Sequence, residues 1–387
     1  MNRTISIKLN ISADQEAVLE TTMATSRICF NEIAKFGWDN NERNQVELHK
    51  AKYYELRAAH PTMPSQLIIS ATSKAKEALS AMHALKKKGK KVGCPTQERG
   101  SIRYDARSYS IIDGQIGIST TSGRLKFPLN LHWQAKHWWD KASKYTSADL
   151  VKRKSGWYLN IVLEIPDVVF KASGKVIGVD LGINRPAVTS DNQFLGERNW
   201  KEVENRYFRL KRKLTSKGTK SAKRHLRKLS GRQRRFRKHC DHVISKLITN
   251  NLESGDVLVI ENLTGIRANT KQRGVKQRRR HHGWSYAQLR GFFEYKAEGK
   301  GACVVAIDPR NTSRTCSKCG FVDKKSRVCQ SVFKCVSCGY ELNADLNAAH
   351  NAKYKYLAGS GKSVACGLNV NQPIVSGVIA EGQSRLL

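Results

Sequence analysis

Four cysteines with a regular spacing constrain the fold of this chain more than any other feature. They form two Cys-x-x-Cys pairs separated by fifteen residues: Cys316, Cys319, Cys335 and Cys338. Two such thiolate pairs can close a tetrahedral zinc cage, and Gly320 and Gly339 relieve crowding where the chain turns back after each pair. Cys329 lies between the pairs without a partner at this spacing, so we do not predict it as a ligand. Four sulfur ligands leave no open position, and we therefore predict a structural zinc ion.

The charge balance predicts a polyanionic partner. The sequence has 69 Lys and Arg residues against 32 Asp and Glu residues, a formal net charge of +37. Such an excess causes self-repulsion unless a polyanion neutralises it, and nucleic acid is the first candidate. A membrane surface is the weaker alternative, because no segment stays apolar for the roughly 18 residues that a span needs. We expect a soluble, cytoplasmic protein that associates with the bacterial nucleoid through DNA.

The first 172 residues predict a small β-barrel with a helical insert. The alternation over Thr4–Leu9 indicates a first barrel strand within residues 1–11. A helical pattern follows over residues 12–95, interrupted by Pro61 and Pro64, and its lysine-rich end at 85–91 is predicted as an exposed loop. Strands return over residues 96–172, at 109–112, 115–119, 124–127 and 156–163.

A second domain is predicted to begin near residue 173. The apolar runs Val176–Gly182 and Val257–Ile260 are typical of buried parallel strands, and residues 302–307 form a further strand. Helices are predicted at 284–297 and 344–357. The predicted boundaries are 173–309 for the main domain, 310–342 for the zinc ribbon and 343–358 for the last helix. Residues 267–282 are expected to be a mobile loop and 359–387 a flexible tail.

A long basic segment interrupts the second domain. No acidic residue occurs between Glu204 and Asp241, whereas 16 Lys and Arg residues do. Sparse leucines predict helices that lie on the core with one face free for phosphates. The nucleic-acid-binding candidates are Arg224, Arg227, Arg232, Arg234 and Arg235.

Three carboxylates are candidates for catalysis. Asp180 lies in an apolar strand and Glu261 follows another, where an unpaired charge is costly to bury. Each has an alternative interpretation as a salt-bridge partner of one of the many cations. Asp345 begins the last predicted helix, where an acidic residue is often only a cap. Asp308, just before Pro309, is assigned to a turn.

The motifs around these residues resemble the TnpB family of transposon-encoded RNA-guided nucleases, compact relatives of the type V CRISPR effectors. They occur in the order of that family over residues 176–356: Gly178–Gly182, Ile260–Leu263, Thr312–Gly320, Cys335–Gly339 and Asp345–Ala349. Many relatives have Asp-Arg-Asp where this chain has Asn343-Ala344-Asp345, which removes one charge and one Arg but keeps the third acid.

This resemblance implies a multidomain α/β protein. It implies an RNase H-like (RuvC) nuclease domain with an inserted zinc ribbon, preceded by a small β-barrel (wedge) domain that carries a helical recognition insert. Its acidic triad would map to Asp180, Glu261 and Asp345, which would hold two Mg²⁺ ions, with Mn²⁺ as an alternative. The implied partners are a guide RNA transcribed from the transposon end and double-stranded target DNA next to a short transposon-adjacent motif, bound by a monomer.

Other readings remain open at this stage. The chain could be a nuclease-inactive RNA-guided DNA-binding regulator, although an intact triad argues against that, or a DNA transposase using the same acids. Trp133, Trp138 and Trp139 could be stacking platforms for bases or core residues.

Overall fold

The computed structural model describes residues 1–171, 174–264, 274 and 283–359. The chain divides into two compact units, Met1–Pro166 and a second unit that begins at Asp167, close to the domain start predicted near residue 173. The loop predicted at 267–282, apart from Gly274, and the tail predicted after residue 359 lie outside the described residues. Among the described helices, none combines the length and apolarity needed to cross a bilayer.

Two antiparallel sheets form the strand part of the first unit. One contains β1 (Asn2–Lys8), β2 (Ser101–Tyr104), β6 (Lys144–Arg153) and β7 (Gly156–Glu164), in the order β1-β7-β6-β2. The other is a meander of β3 (Tyr109–Ile112), β4 (Gln115–Thr120) and β5 (Gly123–Pro128). Asp113 and Gly114 join β3 to β4, and both have positive φ angles, 48° and 69°, as a two-residue hairpin turn requires.

The strand ladders make two separate sheets, so the pairing alone does not confirm the single small barrel that the sequence predicts. Both sheets nevertheless bury their inner side chains in one hydrophobic core. Ile5 and Tyr104 from the first sheet and Ile118 and Phe127 from the second are all members of this core. Alternation of apolar residues predicts which face of a strand is buried, but it carries little information about which strands pair.

Three long helices follow β1. α1 (Ala13–Asp39) begins with a capping box, in which Ser12 Oγ accepts from the Gln15 amide and Gln15 Oε1 accepts from the Ser12 amide. α2 (Gln45–Ala59) ends before Pro61, and α3 (Ser65–Lys87) begins after Pro64, as predicted. A short helix, α4 (Trp133–Trp139), precedes β6.

The loop predicted at residues 85–91 begins too early, because α3 continues to Lys87. Lysine is a good helix former, and cations in a last turn interact favourably with the helix dipole. The run of lysines therefore extends the helix before it becomes a loop.

A five-stranded sheet forms the centre of the second unit. It contains β8 (Val176–Asp180), β9 (Ala187–Thr189), β10 (Phe194–Leu195), β11 (Val257–Glu261) and β12 (Cys303–Ile307), in the order β10-β9-β8-β11-β12. β8, β11 and β12 are parallel, and β9 is antiparallel to β8. All five residues of β11 are buried, which explains why its sequence is an unbroken apolar run up to the terminal acid.

Four helices accompany this sheet. α5 (Arg198–Lys217) and α6 (Lys220–Asn250) are joined by Gly218, whose φ of 63° suits a glycine, and Thr219 caps the second helix. α7 (Tyr286–Glu298) packs Leu289 and Phe293 into the same core as Ile244 and Ile248 of α6. α8 (Ala344–Gly359) is the last described helix.

The segment between β12 and α8 is a small lobe with its own core. It contains the hairpin of β13 (Val332–Lys334) and β14 (Glu341–Asn343) and a 3₁₀ turn at Lys324–Ser326. Phe333 is fully buried against Cys316, Cys335 and Ala344.

Candidate active site and zinc site

The four predicted cysteines converge in this lobe. Their Sγ atoms all lie within 4.8 Å of one another, with 3.7 Å between Cys316 and Cys338 and 3.6 Å between Cys319 and Cys335. A tetrahedral zinc ion with Zn–S bonds of about 2.3 Å needs sulfur atoms roughly 3.8 Å apart. The quartet therefore has the size and the donor set to hold a zinc ion. Cys329 stands outside it, exposed and 3.6 Å from Ser331 Oγ.

Both cysteine pairs lie in the same type of turn. The Cys316 amide donates to the Phe321 carbonyl and the Cys335 amide to the Tyr340 carbonyl, each at 2.9 Å. Gly320 and Gly339 have φ angles of 76° and 69°, in the left-handed region that favours glycine. The Cys338 amide, 3.5 Å from Cys335 Sγ, lowers the pKa of that thiol to about 6, which favours the thiolate that binds metal.

Asp180 and Glu261 come to the same edge of the central sheet. Val179 of β8 pairs with Ile260 of β11 in parallel register, so the acid that follows each residue lies at the carboxyl end of its strand. Thr312 Oγ1 donates to Glu261 Oε1 at 2.6 Å, and the Tyr286 hydroxyl donates to the Glu261 carbonyl at the same distance. Ion pairs within 4.0 Å are absent for both acids among the described residues, so the salt-bridge interpretation is not supported.

A glycine brings the third acid to this edge. A Cβ at Gly178 would lie 2.0 Å from the Ala349 carbonyl oxygen, so only glycine allows α8 to pack directly on β8. Asn343 Oδ1 accepts from the Asp345 and Leu346 amides at 3.0 and 3.3 Å and thereby caps α8. Because Asn343 performs the capping, the Asp345 carboxylate is available for other partners.

Burial perturbs all three carboxyl groups, and repulsion by the other two acids adds to its effect at Asp180. Burial, followed by the charges of Glu261 and Asp345, raises the pKa of Asp180 to about 8. Burial also raises the pKa of Glu261 and of Asp345. Buried carboxyl groups with raised pKa values are concentrated at functional sites, so this cluster is the candidate active site.

Two arginines near the cluster were missed by sequence reasoning. Arg327 Nη2 lies 3.7 Å from Asp345 Oδ1, and its charge lowers the pKa of all three acids. The charge of Arg185, in the loop after β8, also lowers the pKa of Asp345. Both residues occur in a chain with 69 Lys and Arg residues, so neither the composition nor the spacing marks them as special.

The acids form a looser group than the thiols. Among the described residues, only the cysteine quartet has all of its ligand atoms within 4.8 Å of one another. The carboxylates interact electrostatically but do not form such a closed cage. Asp308 takes the turn role predicted for it, since its Oδ1 accepts from the Arg310 amide at 3.0 Å.

Side chains of α8 connect the zinc lobe to the acid cluster. Asn347 Nδ2 donates to the Thr315 carbonyl at 2.8 Å, and its Oδ1 accepts from the Ser317 amide at 3.0 Å. Asn351 Nδ2 donates to the carbonyls of Thr312 and Thr315 at 2.8 and 2.6 Å. The chain entering the first cysteine pair is therefore bonded both to the helix of Asp345 and, through Thr312, to Glu261.

The predicted nucleic-acid-binding arginines lie on an exposed face of α6. All five, Arg224, Arg227, Arg232, Arg234 and Arg235, are exposed. The adjacent helix is fixed by Glu204 of α5, whose carboxylate accepts from Arg237 at 2.8 and 2.6 Å and from Gln233 at 2.6 Å. Glu204 thus bonds to residues where α5 and α6 meet, and none of the five exposed arginines is among its hydrogen-bond partners.

The three clustered tryptophans, Trp133, Trp138 and Trp139, divide between the two predicted roles. Trp138 and Trp139 pack against the core, with the Arg3 guanidinium 4.6 Å from the Trp138 ring centroid and Trp139 stacked on Tyr145. Trp133 is 78% exposed. Only Trp133 therefore retains a free ring face on which a base could stack.

Two family models match the chain. One, described as "Probable transposase" of the OrfB_IS605 type, matches residues 160–267, and the other, described as "Cas12f1-like, TNB domain", matches residues 286–352. The first range contains Asp180 and Glu261, and the second contains Asp345 and the four cysteines. The resemblance to the TnpB family stated from the motifs is confirmed.

Curated relatives agree with these matches. CRISPR-associated endodeoxyribonuclease Cas12f1 of Sulfoacidibacillus thermotolerans is 32% identical over 51% of this chain and 50% of its own length. The Cas12f1 of Syntrophomonas palmitatica is 24% identical over 76% of this chain and 67% of its own length. TnpB-like protein MJ0751 of Methanocaldococcus jannaschii is 33% identical over 37% of this chain and 51% of its own length. The chain thus spans about half the length of two of these relatives.

Proposed function

We propose that this chain, whose motifs resemble the TnpB family and whose residues 160–267 match a family model of this type, is an RNA-guided DNA endonuclease of an insertion sequence. The observation that carries this proposal is the group of three acids, Asp180, Glu261 and Asp345, at one edge of the central five-stranded sheet. Burial raises the pKa of each carboxyl group, as is common at sites that receive cations.

The donor set fits magnesium. Mg²⁺ and Mn²⁺ prefer hard oxygen ligands, and the three buried carboxylates offer only such oxygens. Asp180, Glu261 and Asp345 would hold two ions, which when bound activate water and stabilise the leaving 3′ oxygen of a phosphodiester. We propose that Asp180, between the other two acids, contributes to both ion sites.

The residues of the chain itself prepare this site. The Thr312 hydroxyl orients Glu261, and Asn343 fixes the first turn of α8, so the carboxylates are held before any cation binds. Asp180 would have to be ionised to hold a cation, because a carboxylate binds a metal ion only in its deprotonated form. Arg327 would face the substrate phosphate from the zinc lobe, and a guanidinium in that place favours the charge that develops during hydrolysis.

Base pairing between the guide RNA and the target strand would determine which DNA sequence is recognised. The exposed arginines of α6 would follow the backbones of the guide RNA and the RNA–DNA heteroduplex. The first unit, with its sheets and helical insert, would read the transposon-adjacent motif. A zinc ion in the cysteine quartet would have a structural role, and the protein would act as a monomer.

Two measurements test this function. RNA that copurifies with the protein is sequenced, and the complex is then incubated with Mg²⁺ and target DNA that matches this RNA. We expect a guide-length RNA and cleavage that leaves 5′-phosphates, and we expect Asp180→Ala to lower the rate on the order of 1,000-fold or more. Bound RNA without cleavage would support a regulator. Absence of RNA together with strand transfer of transposon ends would support a transposase.

A further inference from the structure

A basic pocket in the first unit has the composition of a nucleotide site. It lies between the end of α1, the turn into α2 and the end of α3, and its volume is about 440 Å³. The lining residues are Gly37, Trp38, Asn41, Arg43, Leu79, His83, Lys86 and Lys87. This volume is within the range of pockets that hold small ligands, roughly 300 to 1,000 Å³.

The polar wall of the pocket carries positive charge without an acid. Arg43, Lys86 and Lys87 are cationic, and no Asp or Glu is among the lining residues. Glu42 is adjacent in sequence, but its carboxylate accepts from the backbone amides of Arg43 and Asn44, both at 2.7 Å. Like charges held together in this way favour an anion between them.

Arg43 provides a donor that the fold does not use. Its Nε is buried and has no hydrogen-bond partner within the first unit, all of which is described. A buried donor without a partner is costly, so a ligand atom that accepts from it would be stabilised. Burial and the charges of Arg43, Lys87 and Lys86 lower the pKa of His83.

The opposite wall is apolar. Leu79 is buried, and Trp38 is partly buried against the core with part of its surface lining the pocket. Gly37 allows this wall to form, because a Cβ there would lie 2.5 Å from Leu79 Cδ1. Dipole stabilisation at the end of α3 accounts for Lys86 and Lys87 alone, but it does not account for Arg43, which comes from another segment, or for the aromatic wall.

We propose that this pocket binds one nucleoside phosphate. Arg43, Lys86 and Lys87 contact the phosphate, and Trp38 contacts the sugar or base, since cationic groups beside an aromatic ring recognise this pair of chemistries. The ligand is either a free nucleotide or one nucleotide of a strand. The site lies in the first unit and uses none of the residues of the acid cluster, so it does not depend on nuclease activity.

Calorimetric titration of the full-length chain, freed of nucleic acid, tests this site. The probes are AMP, adenosine and a five-residue oligodeoxyadenylate. We expect AMP to bind much more tightly than adenosine, and Lys86→Gln/Lys87→Gln to weaken AMP by about tenfold or more. Lys90→Gln/Lys91→Gln removes the same charge from exposed residues that do not line the pocket, and it should change the AMP affinity little.

The oligonucleotide distinguishes the two sources of the ligand. If Arg43→Gln weakens both AMP and the oligonucleotide, the pocket holds a nucleotide within a strand; if it weakens AMP alone, the pocket holds a free nucleotide. The melting temperature shows whether Arg43→Gln is folded. If that variant is unfolded, the Lys86→Gln/Lys87→Gln variant still tests the pocket, because both lysines are exposed and their replacement leaves the core unchanged. Equal losses in the pocket and control lysine variants, or equal affinity for AMP and adenosine, would overturn the proposal.

Discussion

Arg327 differs from the other cations of the second unit in what its guanidinium faces. Nη2 lies 3.7 Å from Asp345 Oδ1, and the Arg327 side chain is 31% exposed. The Arg327 charge lowers the pKa of Asp180, Glu261 and Asp345, so it partly neutralises the cluster when no other cation is near. The Arg327 guanidinium can release the carboxylate and bind a phosphate instead, because both groups offer two oxygen atoms that accept hydrogen bonds from two guanidinium N–H groups.

We predict that Arg327→Gln lowers the cleavage rate on the order of 100-fold, because one donor to the reacting phosphate is lost. Single-turnover cleavage by the RNA complex at saturating Mg²⁺ measures this rate, and a filter-binding assay measures target affinity, which should change little. Arg310→Gln is the matched control, since the Arg310 side chain is 87% exposed and pairs only loosely with Asp308 at 3.8 Å. Equal rates for the two variants would leave Arg327 with a structural role alone.

The site residues differ in how far the sequence reveals them. Asp180 and Glu261 could be predicted because each interrupts or ends an apolar run, where a carboxylate needs a reason to be present. Asp345 needed the resemblance to a family, since a first-turn acid is ordinarily a cap, and here the cap is Asn343. Arg327 could not be predicted, because its contact with Asp345 depends on the fold of the zinc lobe and not on a local pattern.

At the level of elements, the segment Thr312–Thr315 connects three parts of the second unit. Thr312 is bonded to Glu261 at the end of β11, and the Thr312 and Thr315 carbonyls accept from Asn351 of α8. The first cysteine pair follows immediately. A zinc ion that fixes this pair therefore also restrains the elements that carry Glu261 and Asp345.

We predict that Cys335→Ser lowers the cleavage rate by about tenfold or more even at saturating Mg²⁺. Loss of the zinc ion would loosen the hydrogen bonds that position Glu261 and the helix of Asp345. Zinc content is measured by mass spectrometry alongside the cleavage rate. Cys329→Ser is the control, because Cys329 is exposed in the same lobe but outside the quartet. Loss of zinc with unchanged cleavage would restrict the quartet to stabilising its own lobe.

The sequence predicted most elements of both units because local patterns determine them. The capping box at Ser12 and the breaks at Pro61 and Pro64 mark helix limits through contacts within a few residues. The pairing of β3–β5 as a separate sheet and the packing of α8 on Gly178 depend on residues far apart in sequence. Periodicity contains no record of such contacts, which is why it predicts the strands of the first unit but not their division into two sheets.

On the scale of the whole molecule, part of the net charge of +37 is concentrated on α5 and α6 of the second unit. Glu204 of α5 accepts hydrogen bonds from Arg237 and Gln233 of α6, and no Asp or Glu occurs in the sequence between Glu204 and Asp241, where the exposed arginines of α6 lie. The five arginines lie at residues 224–235, about 17 Å along the helix axis, so this face can contact several successive phosphates of a nucleic-acid backbone.

Replacing the five α6 arginines with glutamine tests this face in one variant. If each contacts one phosphate, the slope of log affinity against log salt should flatten by about 0.7 to 0.9 per lost contact, or by about 3.5 to 4.5 in total. The slope is measured by titrating the copurifying RNA into RNA-free protein over a series of NaCl concentrations. A control variant loses five exposed lysines of the first unit: Lys35, Lys50, Lys76, Lys136 and Lys154.

The two variants have the same net charge, so a difference between them measures position rather than total charge. We expect the control to retain most of the slope, because long-range attraction falls off within a Debye length whereas counterion release needs direct contact. If both slopes flatten equally, the charge of the molecule acts as a diffuse field and α6 is not a track for the backbone. A selective change in the α6 variant would assign guide-RNA binding to this helix, with the sequence of the target read by base pairing.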